Sequence, residues 1–457
     1  MTDETVDQSF RSTLERLESM GELHRVRREV DRHFELGAVL ALREQGPAQL
    51  FEAIAGSNLR AVGNIMSTRA RVAGLLGCPP AELHDRIRLA LDKPIPPRLV
   101  EASPAQEIVH RDLDELADLL PVPTWFEHES GPYITAGVII ARDPETGRRN
   151  VSIARIRLDG GSRVMLGIAK NHHLNILAEK AASLGQKLPI AVAIGNHPAV
   201  LLGSQMYLGL GDDEYDIVGA LLGEPLDLVR CLTVPLEVPA GTDIVLEGEI
   251  DARDLVEEGA VSEFHGFYVH YGPGTGGRIA CVTHRRDAVY QAILPGFAHE
   301  HCLLGALAIE ATCCQALRRM IPAVRRVLVT DGGMGRLHAI ITMHRPRLGE
   351  GKRAAILAMG QVNLFKQVIV VEDDIDPEDP VQVEWSLAAR FRADEDLLVL
   401  PGMKADRCDP VHRDLTVAKI AMIACTRPGD GQRGGLSERV QAPQALLDRL
   451  GKELEDY

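Results

Sequence analysis

Cysteine is scarce and unpatterned: eight are scattered over 457 residues, with no CxxC pair and no disulfide framework. The adjacent Cys313 and Cys314 fall in an apolar helical stretch, which places at least one of them in a core and argues against thiol chemistry. Positive charge is in deficit, with 50 basic against 65 acidic residues and a net charge of -15. That balance disfavours nucleic acid or an anionic membrane as the main partner, so any bound anion needs a local site. No apolar run approaches the length that spans a bilayer, and "MTDETVDQSF" lacks the basic and apolar segments of an export signal. The expectation is a soluble, cytoplasmic protein. Also missing are GxSxG, a Walker A motif and a GxGxxG between strand and helix. Their absence removes the commonest hydrolase, nucleotide-phosphate and dinucleotide readings. There is no internal repeat and no low-complexity tract.

What is present changes texture along the chain. The length predicts two or three domains. The first hundred residues read as mixed α/β: a helix in "SFRSTLERLESMG", a strand in "ELHRVRREV" and a capped helix in "PAELHDRIRLALDK". The proline-rich stretch 93–107 is a linker candidate. From about 110 to 300 come many short β-rich runs, such as "YITAGVIIAR", "LPIAVAIG" and "DIVLEGEI", with helices in "NHHLNILAEKAASLG" and "EYDIVGALLG". Such spacing predicts a barrel or sandwich rather than a doubly wound sheet. After 300 a long helix, "HEHCLLGALAIEATCCQALRRMI", opens an α/β alternation. "RPGDGQRGG", 427–435, breaks the chain before an amphipathic helix, "APQALLDRLGKELEDY", of the kind that docks on a neighbouring subunit.

Several residue patterns carry chemistry. "EEGAVSEFHG" holds Glu258 and Glu263 five positions apart across Gly259. Regular helix or strand would send them to different faces, whereas a bend at the glycine brings both into one cleft as an acid and a base; the plain alternative is a solvated acidic turn. Asn150 and Arg155 lie in the strand-like run "RNVSIARIR" with opposite parity, which only a bulge or a strand end would relax. His172 and His173 open a helix, as metal ligand, phosphate site or polar surface. Asn150, a histidine of this pair and Glu214 together offer two oxygens and one nitrogen, a set suited to Mn²⁺ or Mg²⁺. In "HEH", His299 and His301 share a face if the segment is extended, as a metal pair, a pocket wall or a polar helix start.

In their order along the chain, "GPYITAGVIIARDPETGRRNVSIARIRL", "KNHHL", "GSQM", "EYDIVGALLGEPL", "EGAVSEFHG", "VVEDDIDPEDPVQVEWSLAAR" and "AKIAMIA" resemble the UbiD family of decarboxylases, which use prenylated FMN. The likeness runs from about residue 120 to 425. The resemblance implies an α+β multidomain fold: an N-terminal α/β region (1–105), a central split β-barrel like that of flavin reductases (106–300), and a C-terminal α/β domain with a terminal oligomerisation helix (301–457). It implies that Asn150, His173 and Glu214, with Asp216 as fallback, bind a divalent metal, usually Mn²⁺, beneath the flavin phosphate. Lys419 would reach that phosphate; Ile423 stands where many members have an aspartate. Thr135, Ile153, Ala154, His172, Ser204, Gln205 and Met206 match positions lining the flavin or a nearby K⁺.

Arg155, Glu258 and Glu263 match the family's Glu-Arg-Glu set. Glu263 would be the proton donor, made neutral by burial beside Glu258, with the Glu258/Arg155 pair orienting substrate and tuning protonation. The implied reaction is reversible, non-oxidative decarboxylation of an aromatic, heteroaromatic or α,β-unsaturated acid. Phe264, His299, His301 and Leu304 are the expected pocket wall. The absence of Arg and Lys from 296–312 favours a heteroaromatic or phenolic monoacid over a diacid, with a cinnamate-like acid second. A flavin prenyltransferase would supply the cofactor, and a homodimer or homohexamer is expected. A flavin oxidoreductase on the same barrel and a subunit of a multi-component decarboxylase are the competing readings.

Overall fold

The computed structural model describes residues 6–111, 113–426, 440 and 442–454, so the glycine-rich break at 427–435 lies outside the described residues. Helix Phe10–Ser19 begins where the Ser9 hydroxyl accepts the Ser12 N–H, and its helical spacing turns Phe10, Leu14 and Leu17 inward. The expected strand in "ELHRVRREV" forms only over Leu23–Val26. It joins Ala48–Phe51, Arg60–Gly63 and, from much later in the chain, Val289–Gln291 in one sheet. The stretch 93–107 does not hang free: Arg98–Leu99 pairs with the strand Asp227–Arg230, and Ser103 donates to the Ala240 carbonyl.

The central region is a nine-stranded sheet. Along its path run Tyr133–Ile134, Arg155–Leu158, Arg163–Gly167, Pro273–His284, Ile244–Glu257, Leu188–Ile194, Val138–Arg142 and Arg149–Ile153, with Ile108–His110 added to Pro273–His284. Arg149–Ile153 is one end of that path, and Arg155–Leu158 sits one place from the other. Only Ala154 separates them in the chain. Two successive Cα–Cα steps of about 3.8 Å must therefore connect one end of the path to the strand next to its other end, which curls the sheet into a split barrel. Both faces are covered, which explains the unbroken apolar runs: Val138 and Ile140 enter one cluster, Ile139 and Ala141 the other.

The helix His299–Met320 leads into a five-stranded sheet ordered Val324–Val329, His338–Met343, Gln367–Glu372, Thr416–Ala424, Leu397–Lys404. Ile423 packs in its core, close against Gly351 and Val370. The long helix is tied to the N-terminal region by a two-pronged ion pair, Arg69 to Glu310, at 2.8 and 2.5 Å. The terminal helix Gln444–Glu453 is largely exposed. Among the described residues no helix is long and apolar enough to cross a membrane.

Candidate active site

The run 149–158 is two strands, not one, and the break at Ala154 removes the parity that would have kept Asn150 and Arg155 apart. Across the barrel, the strand Ile244–Glu257 ends just before Glu258. Gly259, at φ 77°, turns the chain into Ala260–Ser262. The bend carries the chain from Glu258, which is buried behind Arg155 and does not itself line the cavity as expected, to Glu263, which does. Arg155 Nε and Nη2 donate to the two Glu258 oxygens at 2.5 and 2.7 Å, a fork in which Glu258 is 1% exposed. Gly167, paired with Arg155 in the neighbouring strand, leaves room for it. A Cβ there would lie 2.6 Å from both Arg155 Nε and Glu258 Oε1. The Glu258 carbonyl is fixed in turn by Arg157 Nη1 at 2.6 Å and by the Ser130 hydroxyl.

Glu263 has different partners from those expected. Its Oε1 accepts the Phe264 N–H at 3.1 Å, and its Oε2 accepts the Tyr271 hydroxyl at 2.8 Å. Burial pushes its pKa up, but the Arg155 guanidinium, His301 and these two donors outweigh burial and hold the carboxyl below its ordinary range. The expectation that crowding by Glu258 makes Glu263 neutral is therefore corrected: Arg155 reaches Glu263 as a cation and takes Glu258 as its own partner.

These groups border a cavity of about 260 Å³ lined by Thr135, Ile153, Ala154, Arg155, His172, Gln205, Glu263, His301 and Leu304 among the expected residues. Thr135 donates to the Ile293 carbonyl at 2.6 Å. His301 Nδ1 is 2.9 Å from the Gly296 carbonyl, which only accepts, so Nδ1 carries hydrogen and Nε2 is left for a ligand. Two expected wall residues are elsewhere. "HEH" begins a helix, where residues two apart are about 200° apart. His299 consequently faces a separate cavity with Arg69, Asp331 and Glu378. Phe264 is 5% exposed and packs with Cys302 and Leu337 beneath Arg336. The cavity also takes Asp406, Arg407 and Cys408 from the C-terminal domain, which no local motif marked. Cations thus reach this region despite their absence from 296–312: Arg407 lines the cavity, and Arg336 lies against Gly305.

Ile153, Ala169, His172, Gln205 and Asp406 are shared with a second space of about 640 Å³, so the two form one cleft between the central and C-terminal domains. Asn150, His173, Glu214, Ser204 and Met206 line this second part; Asp216 does not. His173 and Glu214 each begin a helix, His173–Ser183 and Glu214–Leu222. Glu214 accepts the Val151 N–H at 2.9 Å, and burial, with Asp213 and Asp212 nearby, pushes its carboxyl up to about 7. Asn150 Nδ2 donates to Ser152 Oγ at 3.2 Å. Burial, with His173 and Arg407 adding to it, pulls His172 down to about 4, so it is neutral, and its Nδ1 caps the Leu174 N–H. Lys419 is 1% exposed and donates to the carbonyl of Asn363, a lining residue, from behind the wall.

The N-terminal, Rift-related central and C-terminal domains of 3-octaprenyl-4-hydroxybenzoate carboxy-lyase, the UbiD family, match residues 14–91, 98–298 and 302–425. Anhydromevalonate phosphate decarboxylase of Methanothermobacter thermautotrophicus is 34% identical over 87% of this chain and 92% of its own. Gallate decarboxylase of Lactiplantibacillus plantarum is 29% identical over 82% and 81%. The UbiD-class enzyme HmfF of Pelotomaculum thermopropionicum, solved with FMN, superposes with a TM-score of 0.91 at 38% identity, covering 98% of this chain and 99% of that one. An evolved dimeric form of HmfF bound to prFMN gives 0.88 at 37%, covering 97% and 98%. With all three of its domains matched in order, this chain belongs to the UbiD family and is a carboxy-lyase.

Proposed function

We propose that this chain catalyses reversible, non-oxidative decarboxylation of an aromatic, heteroaromatic or α,β-unsaturated carboxylic acid with prenylated FMN, Glu263 protonating the vacated carbon. The observation that carries the reading is the meeting of Arg155 and Glu263 in one cavity that runs on to Asn150, His173 and Glu214. The cleft has room for a flavin: its larger part, about 640 Å³, falls within the roughly 300–1,000 Å³ usual for ligand sites, and the smaller part adds about 260 Å³ beside it. The chemistry of the donor set suits a divalent ion: Glu214 offers a buried carboxyl, and Asn150 and His173, which line the same space, offer an amide oxygen and an imidazole. Asn150, His173 and Glu214 would hold Mn²⁺ or Mg²⁺, Lys419 would lie toward the phosphate, and backbone oxygens near Ser204–Met206 would take K⁺. When bound, the flavin supplies the electron sink that loss of CO₂ requires.

The chain's own residues do the rest. Glu258 occupies Nε and Nη2 of Arg155, which leaves Nη1 for the substrate carboxylate. An anion arriving there weakens the cation's hold on Glu263, and the carboxyl takes up a proton from solvent water before the cleft is sealed by substrate. As CO₂ departs, the O–H bond of Glu263 breaks and a C–H bond forms at the vacated carbon. Such general acid catalysis contributes about 10² to 10⁴ in rate. Ile153, Ile168, Ile293 and Leu304 supply apolar walls that exclude water. His301 Nε2 suits a ring heteroatom or hydroxyl, which favours a heteroaromatic or phenolic acid, with an acrylic acid second. The division at about 105 and 300, supply by a flavin prenyltransferase, a cytoplasmic setting and a homodimer or homohexamer built on C-terminal elements complete the proposal.

The test is a panel of gallate, 3,4-dihydroxybenzoate, furan-2-carboxylate and cinnamate in D₂O, with protein from cells that also make the prenyltransferase. Deuterium should appear at the vacated carbon with the native chain. Glu263→Gln should retain flavin and metal but give neither CO₂ nor exchange. Full turnover by that variant removes Glu263 from the mechanism.

A further inference from the structure

Tyr271 lies where three parts of the site meet. Its Oη is 2.8 Å from Glu263 Oε2 and 3.2 Å from Cys408 Sγ, and that sulfur is 3.7 Å from the same carboxylate oxygen. Two guanidinium groups contact its ring: Arg155, with Cζ 5.3 Å from the centroid, and Arg407 at 4.1 Å. Arg155 belongs to the barrel, while Arg407 and Cys408 follow the strand Leu397–Lys404 of the C-terminal domain.

A phenol has one hydrogen to give. The carboxylate takes it, because a bond to a charged acceptor is the stronger one. The thiol of Cys408, which burial and the nearby Glu263 keep protonated by pushing it up to about 12, donates its own hydrogen to the same carboxylate oxygen at 3.7 Å. Oε1 of Glu263 is held separately, by the adjacent Phe264 N–H. Without Tyr271, the second oxygen would lose its shortest anchor.

We propose that Tyr271 is the positioning residue for Glu263, and that it makes the aim of that carboxyl depend on the segment Asp406–Cys408 being seated against the barrel. The proposal rests on the reading of Glu263 as proton donor. A ring that merely filled space would need no hydroxyl, so Tyr271→Phe separates the two roles: it keeps the platform for both arginines and deletes Oη.

In the holoenzyme, turning over whichever of gallate, 3,4-dihydroxybenzoate or furan-2-carboxylate the native chain accepts, Tyr271→Phe should lower kcat about tenfold with KM within about twofold. The limb of the pH–rate profile due to Glu263 should move up by about one unit, because a donor to its charged form is gone. Cys408→Ala should shift both in the same direction by less, and Cys408→Ser, which keeps a donor, should restore them. A Tyr271→Phe profile that superposes on the native one overturns the proposal. A second readout needs no turnover. The Glu263 carboxyl band, isolated as the infrared difference between each protein and its Glu263→Gln counterpart, should titrate at higher pH in Tyr271→Phe. An unmoved titration overturns the proposal, whereas a native chain inert toward these acids sinks the proposed substrate class and leaves this arm standing.

Discussion

Gly167 and Glu300 show how much a single position decides. A methyl at Gly167 would intrude on the Arg155–Glu258 fork at 2.6 Å. Gly167→Ala should therefore cut kcat by about 10²-fold, the scale of an ångström's misplacement, while circular dichroism and flavin content stay near native. Glu300, 2% exposed in the first turn of the long helix, accepts the Met66 N–H at 2.8 Å, and burial pushes it up to about 7. Its folded pKa is above its unfolded one, so its contribution is intact below about pH 4.5 and is lost as pH rises through 7. Relative to Glu300→Gln, the native chain should lose about 3 kcal/mol of stability between pH 5 and 8.5, read from urea midpoints. Parallel pH dependence in the two proteins would show that Glu300 titrates alike in the folded and unfolded chain. Neither role was legible in the sequence, because a glycine's clearance and a carboxylate's burial are set by partners far along the chain.

At the scale of elements, the long helix His299–Met320 does two jobs. Its first turn separates the substrate cavity, which His301 and Leu304 face, from the one that His299 and Leu303 face. Its middle carries Glu310, 1% exposed, which also accepts the Val329 N–H at 2.8 Å. Arg69→Ala would leave that carboxylate buried without its cation and should cost about 3–5 kcal/mol, measured by denaturant unfolding; a cost under about 1 kcal/mol would mean water replaces the arginine. The helix itself was legible from its length and apolar content. The phase of "HEH" was not: read as extended it puts both imidazoles on one wall, and the helical turn that begins after Ala298 divides them. The break at Ala154 was similarly invisible in "RNVSIARIR", whose residues all suit a strand.

For the whole molecule, the change of texture near residue 300 and the ordered fragments were enough to reach the family, whose domains the chain matches from 14 to 425. What escaped was the contribution of the C-terminal domain to the cavity wall. Tyr271, Asp406, Arg407 and Cys408 sit in no recognisable spacing with Arg155 or Glu263, and only the approach of two domains puts them together.

The single residue that joins Arg149–Ile153 to Arg155–Leu158 and so draws the barrel round also lines the cavity. Circumference and catalytic register are thereby the same quantity: an inserted or deleted amino acid at position 154 would not be absorbed as slack, as in a surface loop, but would rotate the arginine that follows away from its glutamate. Length variation among descendants of this chain should consequently gather in its outer turns and spare this joint.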